Sequence, residues 1–225
     1  MSVDPPRPRR RRTAPLVWAA GAVAAAVLVL GVTGTLSSWT SAILTNGSNQ
    51  VGSGASVILS ETGPGSTGTA TTCTTAGTVD NTASCTQINK YGDAGVLDTT
   101  MSPGGSISTT VSLTNTGSGA ATTFTMAPGA CTSVYNTGSN SGSAPAAGDD
   151  LCSQMQVAVT CTGATLTVAA TTLDAFATNS PYTLTGGLAS GAAASCTFTV
   201  SLPSTTPANY SGQTVTQPIV WTLSA

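Results

Sequence analysis

The sequence predicts an all-β protein, a jelly-roll-like two-sheet β-sandwich, preceded by an N-terminal signal or hydrophobic helix. Three observations support this prediction. Apolar and polar residues alternate along many short segments, which is the period of a half-buried strand. Glycine and proline interrupt these segments at a spacing of roughly 10 residues, as in sandwiches and barrels. Threonine is abundant, and its β-branched side chain suits a pleated sheet.

The N-terminal segment has the layout of a secretory signal. Five of the six basic residues lie within the first twelve positions, and an apolar run follows at residues 14–34. A basic segment, an apolar segment and then small residues are typical of such a signal. We expect residues 1–37 to be a signal peptide cleaved between Ser37 and Ser38, with a cut after Ala42 as the second choice. The apolar run is also long enough to span a bilayer, so an uncleaved anchor is the alternative.

Residues 38–54 are rich in Ser, Asn and Gly and contain few apolar side chains, among them Trp39, Ile43 and Val51. This composition predicts a flexible arm. The remaining residues, 55–225, are enough for one domain with a substantial core. We therefore divide the chain into a signal peptide, an arm and a β-sandwich domain.

Within the domain, alternation predicts strands of differing strength, and their order in the sheets stays open. The stronger candidates lie at 56–60, 107–113, 124–126, 155–161, 166–168, 196–202 and 215–223. The weaker candidates lie at 70–74, 84–88 and 182–184. Residues 173–177 are predicted to form one short helical turn.

The charge of the domain excludes several classes of partner. Beyond the leader there is one cation, Lys90, against seven acids, which gives a net charge near −6. An acidic surface repels phosphate, so we expect no nucleic-acid partner. It also disfavours anionic lipid, so membrane contact is expected only through an uncleaved leader.

Histidine is absent from the sequence. Ser-His and Cys-His catalytic pairs and histidine-based zinc sites are therefore impossible. We expect no enzyme activity and no cofactor, and a histidine-free hydrolase is a distant third hypothesis.

Two groups of charged residues leave alternatives open. Lys90 is expected to be a lone exposed lysine, and an isopeptide bond to an asparagine side chain is the alternative. Loop acids at Asp149, Asp150, Asp93 and Asp98 are expected to be solvated, although carboxylates on loops can bind calcium.

Six cysteines in an exported domain predict three disulfides rather than a metal site. No CxxC pair is present, and six cysteines allow 15 pairings. We favour Cys73–Cys85 and Cys131–Cys152, which would each close a loop between neighbouring strands. The third pair, Cys161–Cys196, would join two strands inside the sandwich.

Three motifs together resemble a known family. The leader ends Gly34-Thr35-Leu36-Ser37-Ser38-Trp39-Thr40, similar to the signal read by the SipW-type peptidase. Met101-Ser102-Pro103-Gly104 leads into a strand that ends Leu113-Thr114-Asn115-Thr116-Gly117, and the chain closes with Ile219-Val220-Trp221-Thr222-Leu223. These features are similar to the TasA/camelysin family of biofilm-matrix proteins. They cover about a third of the chain.

The resemblance implies a jelly-roll subunit that polymerises outside the cell, with the N-terminal arm of one subunit added as a strand to the next. Here the donor would be the arm that bears Trp39, Ile43 and Val51. The protease activity associated with camelysin-like members is not carried over, because no histidine motif supports it.

The sequence thus predicts a secreted, non-enzymatic structural subunit of an extracellular fibre or biofilm matrix at the cell surface. Its partners are expected to be further copies of the chain or matrix components. The alternative is a membrane-anchored binding or adhesion module at the cell surface.

Overall fold

The computed structural model describes residues 56–65, 67–92, 100–136 and 148–225. The predictions of the leader helix, of its cleavage site at Ser37 and Ser38 and of the arm with Trp39, Ile43 and Val51 lie outside these residues, as do those for Asp93 and Asp98. Among the described residues, no helix has the length and apolar character needed to cross a membrane.

Strands dominate the described part of the chain. They are β1 (Leu59–Pro64), β2 (Ala70–Thr74), β3 (Ser106–Asn115), β4 (Thr123–Pro128), β5 (Thr132–Tyr135), β6 (Gln156–Thr162), β7 (Leu166–Thr172), β8 (Tyr182–Leu184), β9 (Ala193–Ser201), β10 (Gln213–Thr216) and β11 (Ile219–Ser224). One short helix, α1 (Leu173–Thr178), follows β7 directly, and 3-10 turns lie at Leu151–Ser153 and Ala208–Tyr210.

The strands form one large antiparallel sheet and two smaller ones. The large sheet has six strands in the order β2-β1-β3-β9-β6-β7. A three-stranded sheet has the order β11-β4-β8, and β10 pairs with β5 alone. Along the chain, β4 is followed by β5, and β10 is followed by β11. The same two segments of the chain therefore form both smaller sheets, through the pairing of β4 with β11 and of β5 with β10.

The core lies between the large sheet and the three-stranded sheet. Phe198 on β9 meets Trp221 on β11 edge-on, with ring centroids 6.2 Å apart, and Phe124 on β4 lies 5.7 Å from the same indole. Because these rings come from both sheets, the layers pack face to face as in a sandwich. The prediction of an all-β, two-layer fold is confirmed at this level.

The predicted strands differ from the observed ones where apolar alternation is weak. β1 begins at Leu59 and ends at Pro64, so the predicted boundary at 56–60 is wrong by several residues. The predicted strand at 84–88 is also wrong, since only Ile88 forms a bridge, with Gly65. β5 was not predicted, because its one large aliphatic side chain, Val134, is 54% exposed and leaves no apolar pattern to detect.

The predicted closing strand at 215–223 is interrupted. Residues Gln217 and Pro218 separate β10 from β11, opposite the break between β4 and β5. Proline has no N–H for a strand ladder. The amide of Gln217 fills the gap, donating to the carbonyl oxygens of Gly129 at 2.8 Å and Leu173 at 3.0 Å.

A buried asparagine organises the end of β3. The Oδ1 atom of Asn115 accepts from the backbone N–H groups of Ile58 at 3.3 Å and Gly117 at 3.1 Å. Its Nδ2 atom donates to the carbonyl oxygens of Gly119 at 2.7 Å and Leu188 at 3.0 Å. A Cβ at Gly117 would overlap the carbonyl oxygen of Ser56, so the Asn-x-Gly motif serves this close approach.

We predict that Asn115→Ala lowers the free energy of unfolding by about 3 kcal/mol, because buried backbone groups lose their partners. Urea unfolding measures the change. The exposed neighbour provides the control, since Thr116→Ala is expected to stay within about 0.5 kcal/mol of the parent. Equal losses in both variants would contradict this role for Asn115.

Candidate functional site

A buried ion pair lies where the two layers of the sandwich meet. Glu61 lies on β1, and its Oε1 atom is 2.7 Å from Nζ of Lys90. Both side chains are largely hidden from solvent, with 9% of Glu61 and 11% of Lys90 exposed. The indole Nε1 of Trp221 on β11 donates to the same Oε1 at 3.3 Å. We call Glu61, Lys90 and Trp221 the inter-sheet cluster.

The segment that carries Lys90 is held against β1 and the strand break. Gly63 has no side chain, and a Cβ there would lie 2.9 Å from the Ile88 side chain. This gap lets Ile88 pack close to β1, two residues before Lys90. On the other side, the Tyr91 hydroxyl donates to Oε1 of Gln217 at 2.7 Å, and burial raises the pKa of that hydroxyl above its ordinary value.

The geometry of the inter-sheet cluster suits a structural role. The ammonium of Lys90 neutralises the carboxylate of Glu61, and little of either side chain is open to a substrate. A buried charge is tolerated only when it is paired and hydrogen-bonded. The cluster therefore meets the requirement for a stable link between the layers, and it offers no accessible base.

The structure corrects the expectation for Lys90. The sequence predicts a lone exposed lysine, and this is wrong, because Lys90 neutralises the buried Glu61. The ammonium of Lys90 contacts a carboxylate, whereas the predicted isopeptide bond would require an asparagine side chain at this point. Sequence reasoning missed Glu61 and Gln217 as partners, and the only available signal was that each sign of charge is scarce.

We predict that Lys90→Met lowers the free energy of unfolding by about 3–5 kcal/mol, because Glu61 is left buried without its counter-charge. The double variant Lys90→Met, Glu61→Leu should lose less than the sum of the single changes, since it removes both charges. Urea unfolding of the parent, Lys90→Met, Glu61→Leu and the double variant gives the coupling energy between the two side chains. The exposed acid Asp80 supplies a control variant, Asp80→Ala. Strict additivity of Lys90→Met and Glu61→Leu would contradict the pairing.

The six cysteines form three disulfides, in the pairing that the sequence analysis favours. They are Cys73–Cys85, Cys131–Cys152 and Cys161–Cys196. The third pair joins residues directly opposite each other on β6 and β9, so it links adjacent strands of one sheet. Disulfides at this density are typical of extracellular proteins.

The loop acids lie in part around one end of the α1 helix. Among the described residues, ligand atoms of Asp150, Cys152 and Asp174 lie within 4.8 Å of one another. The Cys152 sulfur is bonded to Cys131, so it is not a thiolate, and Asp150 accepts from the Cys152 N–H at 2.9 Å. Two carboxylates on a surface are a weak basis for a calcium site. Asp93 and Asp98 lie outside the described residues.

We predict that Asp174 makes stability fall slightly as pH rises. Desolvation, followed by the charge of Asp150, raises the pKa of Asp174 above its ordinary value. A raised pKa in the folded state means that the charged form is disfavoured there, so the cost develops as pH rises from the ordinary pKa through the raised one and is absent at lower pH.

The variant Asp174→Asn should therefore gain in stability relative to the parent as pH rises from 3 to 6, and salt should reduce the gain. Thermal unfolding across this range measures it. A gain that is independent of pH would contradict a titrating origin.

Comparison with models of known protein families finds no match, and comparison with curated protein sequences finds no significant similarity. The resemblance to the TasA/camelysin family therefore rests on the short motifs given above and stays a hypothesis.

Proposed function

We propose that this chain is a secreted, non-enzymatic structural subunit of an extracellular fibre or matrix. The observation that carries the proposal is a disulfide-linked β-sandwich behind a secretory leader pattern. Such bridges form and persist where the surroundings are oxidising, as they are outside the cell. The finer jelly-roll assignment and the relation to biofilm proteins are parts of the same proposal.

Assembly by strand addition is supported by the edges of the sheets. In the pairing of the described residues, β11 has β4 as its one neighbour, and β2 has β1. An edge strand presents backbone donors and acceptors to which an extended segment of another chain can add. In this proposal the donor is the arm at 38–54, whose Trp39, Ile43 and Val51 would fill pockets beside the edge.

The non-enzymatic part of the proposal is supported by chemistry rather than by homology. The chain lacks histidine, and the ion pair of the inter-sheet cluster is neutralised and buried. The alternative function is a membrane-anchored binding module, which the apolar length of residues 14–34 favours. Cleavage of the leader distinguishes the two functions, because a free arm permits strand exchange and a retained helix tethers the domain.

We predict that protein from the culture supernatant begins at Ser38 and forms assemblies that elute early on size exclusion. Its intact mass should match three disulfides. Removing residues 38–54 should abolish the assemblies and leave a folded monomer, because the donor strand is lost. A full-length chain found only in membranes would instead favour the anchored module.

A matched pair of variants isolates the apolar side chains of the arm. The triple change Trp39→Ser, Ile43→Ser, Val51→Ser should prevent assembly. The control Thr40→Ser, Thr45→Ser keeps these anchors and should assemble as the parent does. Assembly of the triple variant at the parental level would contradict strand donation by these residues.

A further inference from the structure

The contact between Glu61 and Lys90 brings an amine and a carboxyl group together where little water reaches them. Nζ of Lys90 is 2.7 Å from Oε1 of Glu61, and both side chains are largely buried. Glu61 is the one glutamate of the sequence, and Lys90 is the one basic residue after residue 12. An amine and a carboxyl group join as an amide when water is lost, so this contact holds both halves of an isopeptide bond.

Both groups are held in place by the structure around them. Glu61 lies within β1, which is paired with β2 on one side and β3 on the other. Lys90 follows Ile88, which is buried and packs against β1. The next residue, Tyr91, donates through its hydroxyl to Gln217 at 2.7 Å. Two groups fixed in contact react as if each were present at an effective concentration of about 10⁵ M or more.

Trp221 supplies a hydrogen-bond donor at the carboxyl oxygen. Its indole Nε1 donates to Oε1 of Glu61 at 3.3 Å, and the residue is buried. When an amine adds to a carboxyl carbon, negative charge develops on this oxygen, and a fixed N–H donor away from water stabilises such charge. The inter-sheet cluster therefore contains a nucleophile, an electrophile and a donor for the oxygen that becomes negative.

We propose that Glu61 and Lys90 condense to form an isopeptide bond. One proton passes from the ammonium to the carboxylate, and the neutral amine adds to Cδ of Glu61. The nitrogen then gives a second proton to the departing hydroxyl group, the bond from Cδ to Oε2 breaks, and one water molecule leaves. The amide is uncharged, so the cost of keeping two charges buried is removed. This bond differs from the asparagine-linked alternative of the sequence analysis, because water leaves rather than ammonia.

The bond ties β1 covalently to the segment that carries Lys90. Residues 61–90 then form a closed ring, and the Cys73–Cys85 disulfide closes a smaller ring inside it. β1 is the first strand of the described residues, so in the proposed structural role a pull on the arm reaches β1 first. The bond keeps β1 in the sheet under that load. Only this use of the bond rests on the proposed function, since its formation does not require assembly.

The mass of the exported protein tests the bond directly. After reduction of the disulfides, we expect the chain to be lighter by one water molecule than the sequence from its observed N-terminus requires. Tandem mass spectrometry of a chymotryptic digest should find a branched peptide that contains both Glu61 and Lys90. A reduced chain with the full mass of its sequence would overturn the proposal and leave an ion pair.

Trypsin gives an independent test, because it does not cleave after an acylated lysine. Beyond residue 12 it has one possible site, Lys90. The reduced and denatured parent should therefore stay whole beyond residue 12, whereas Glu61→Leu should be cut after Lys90. A lost water together with full cleavage after Lys90 would place the dehydration elsewhere in the chain and would contradict the proposal.

Two further variants distinguish the covalent bond from the ion pair. Lys90→Arg keeps a positive charge beside Glu61, but a guanidinium is a poor nucleophile, so this variant should keep the full mass of its sequence. Asp80→Asn changes an exposed acid and should lose water as the parent does. Equal loss of water in Lys90→Arg and the parent would overturn the proposal. The mass of the parent decides the question even where a variant does not fold.

The two proposals fail separately. Assemblies built from chains that have lost no water would contradict only the isopeptide bond. A monomer that carries the bond would contradict only the structural role.

Discussion

The buried carboxylate of Glu61, paired with Lys90, makes the polar contact between the two layers of the sandwich. The carboxylate belongs to β1 of the large sheet, and it also accepts from the indole of Trp221 on β11. Trp221 in turn contacts Phe124 and Phe198. One polar contact, from Trp221 to Glu61, and one ring contact, from Trp221 to Phe198, thus cross between the sheets. Burying a charge pair is costly unless its geometry is good, and here the indole N–H of Trp221 adds a hydrogen bond to the buried carboxylate.

Around this contact, the molecule uses few charged residues, either in its core or on its surface. Only 6% of the residues are charged, and two of these few are inside. The outer face of the large sheet relies on hydroxyl groups that bond to one another across the strands. Such a surface is wetted by water but does not repel its own copies. It is compatible with dense packing in a matrix.

Much of the fold could be predicted because the inward positions of the central strands are apolar. The alternation at Val111, Leu113, Val157, Val159 and Phe198 is enough to place β3, β6 and β9, and the same residues form the core. β5 could not be found because its pattern has no apolar face. The break at Pro218 could have been found, since proline removes a ladder donor.

The candidate site was harder to predict, because it depends on distances in space. Glu61 and Lys90 are far apart in sequence, and no local pattern indicates that a charge will be buried. Asp150 and Asp174 come together only because β6 and β7 form a hairpin between them. The disulfide pairing was easier to predict, because the number of cysteines is even and cysteines close together in sequence tend to pair.

The position of β9 in the large sheet has a consequence for how the chain reaches its native state. β9 lies between β3 and β6, although it is synthesised after both of them. In the same way, β4 lacks one neighbour until β11 has been made. Neither layer can close until β9 and β11 have been made, and such non-local pairing is slow. A chain that ends early therefore cannot settle into a smaller domain. It exposes unpaired apolar strands, and such fragments aggregate or are degraded rather than accumulate.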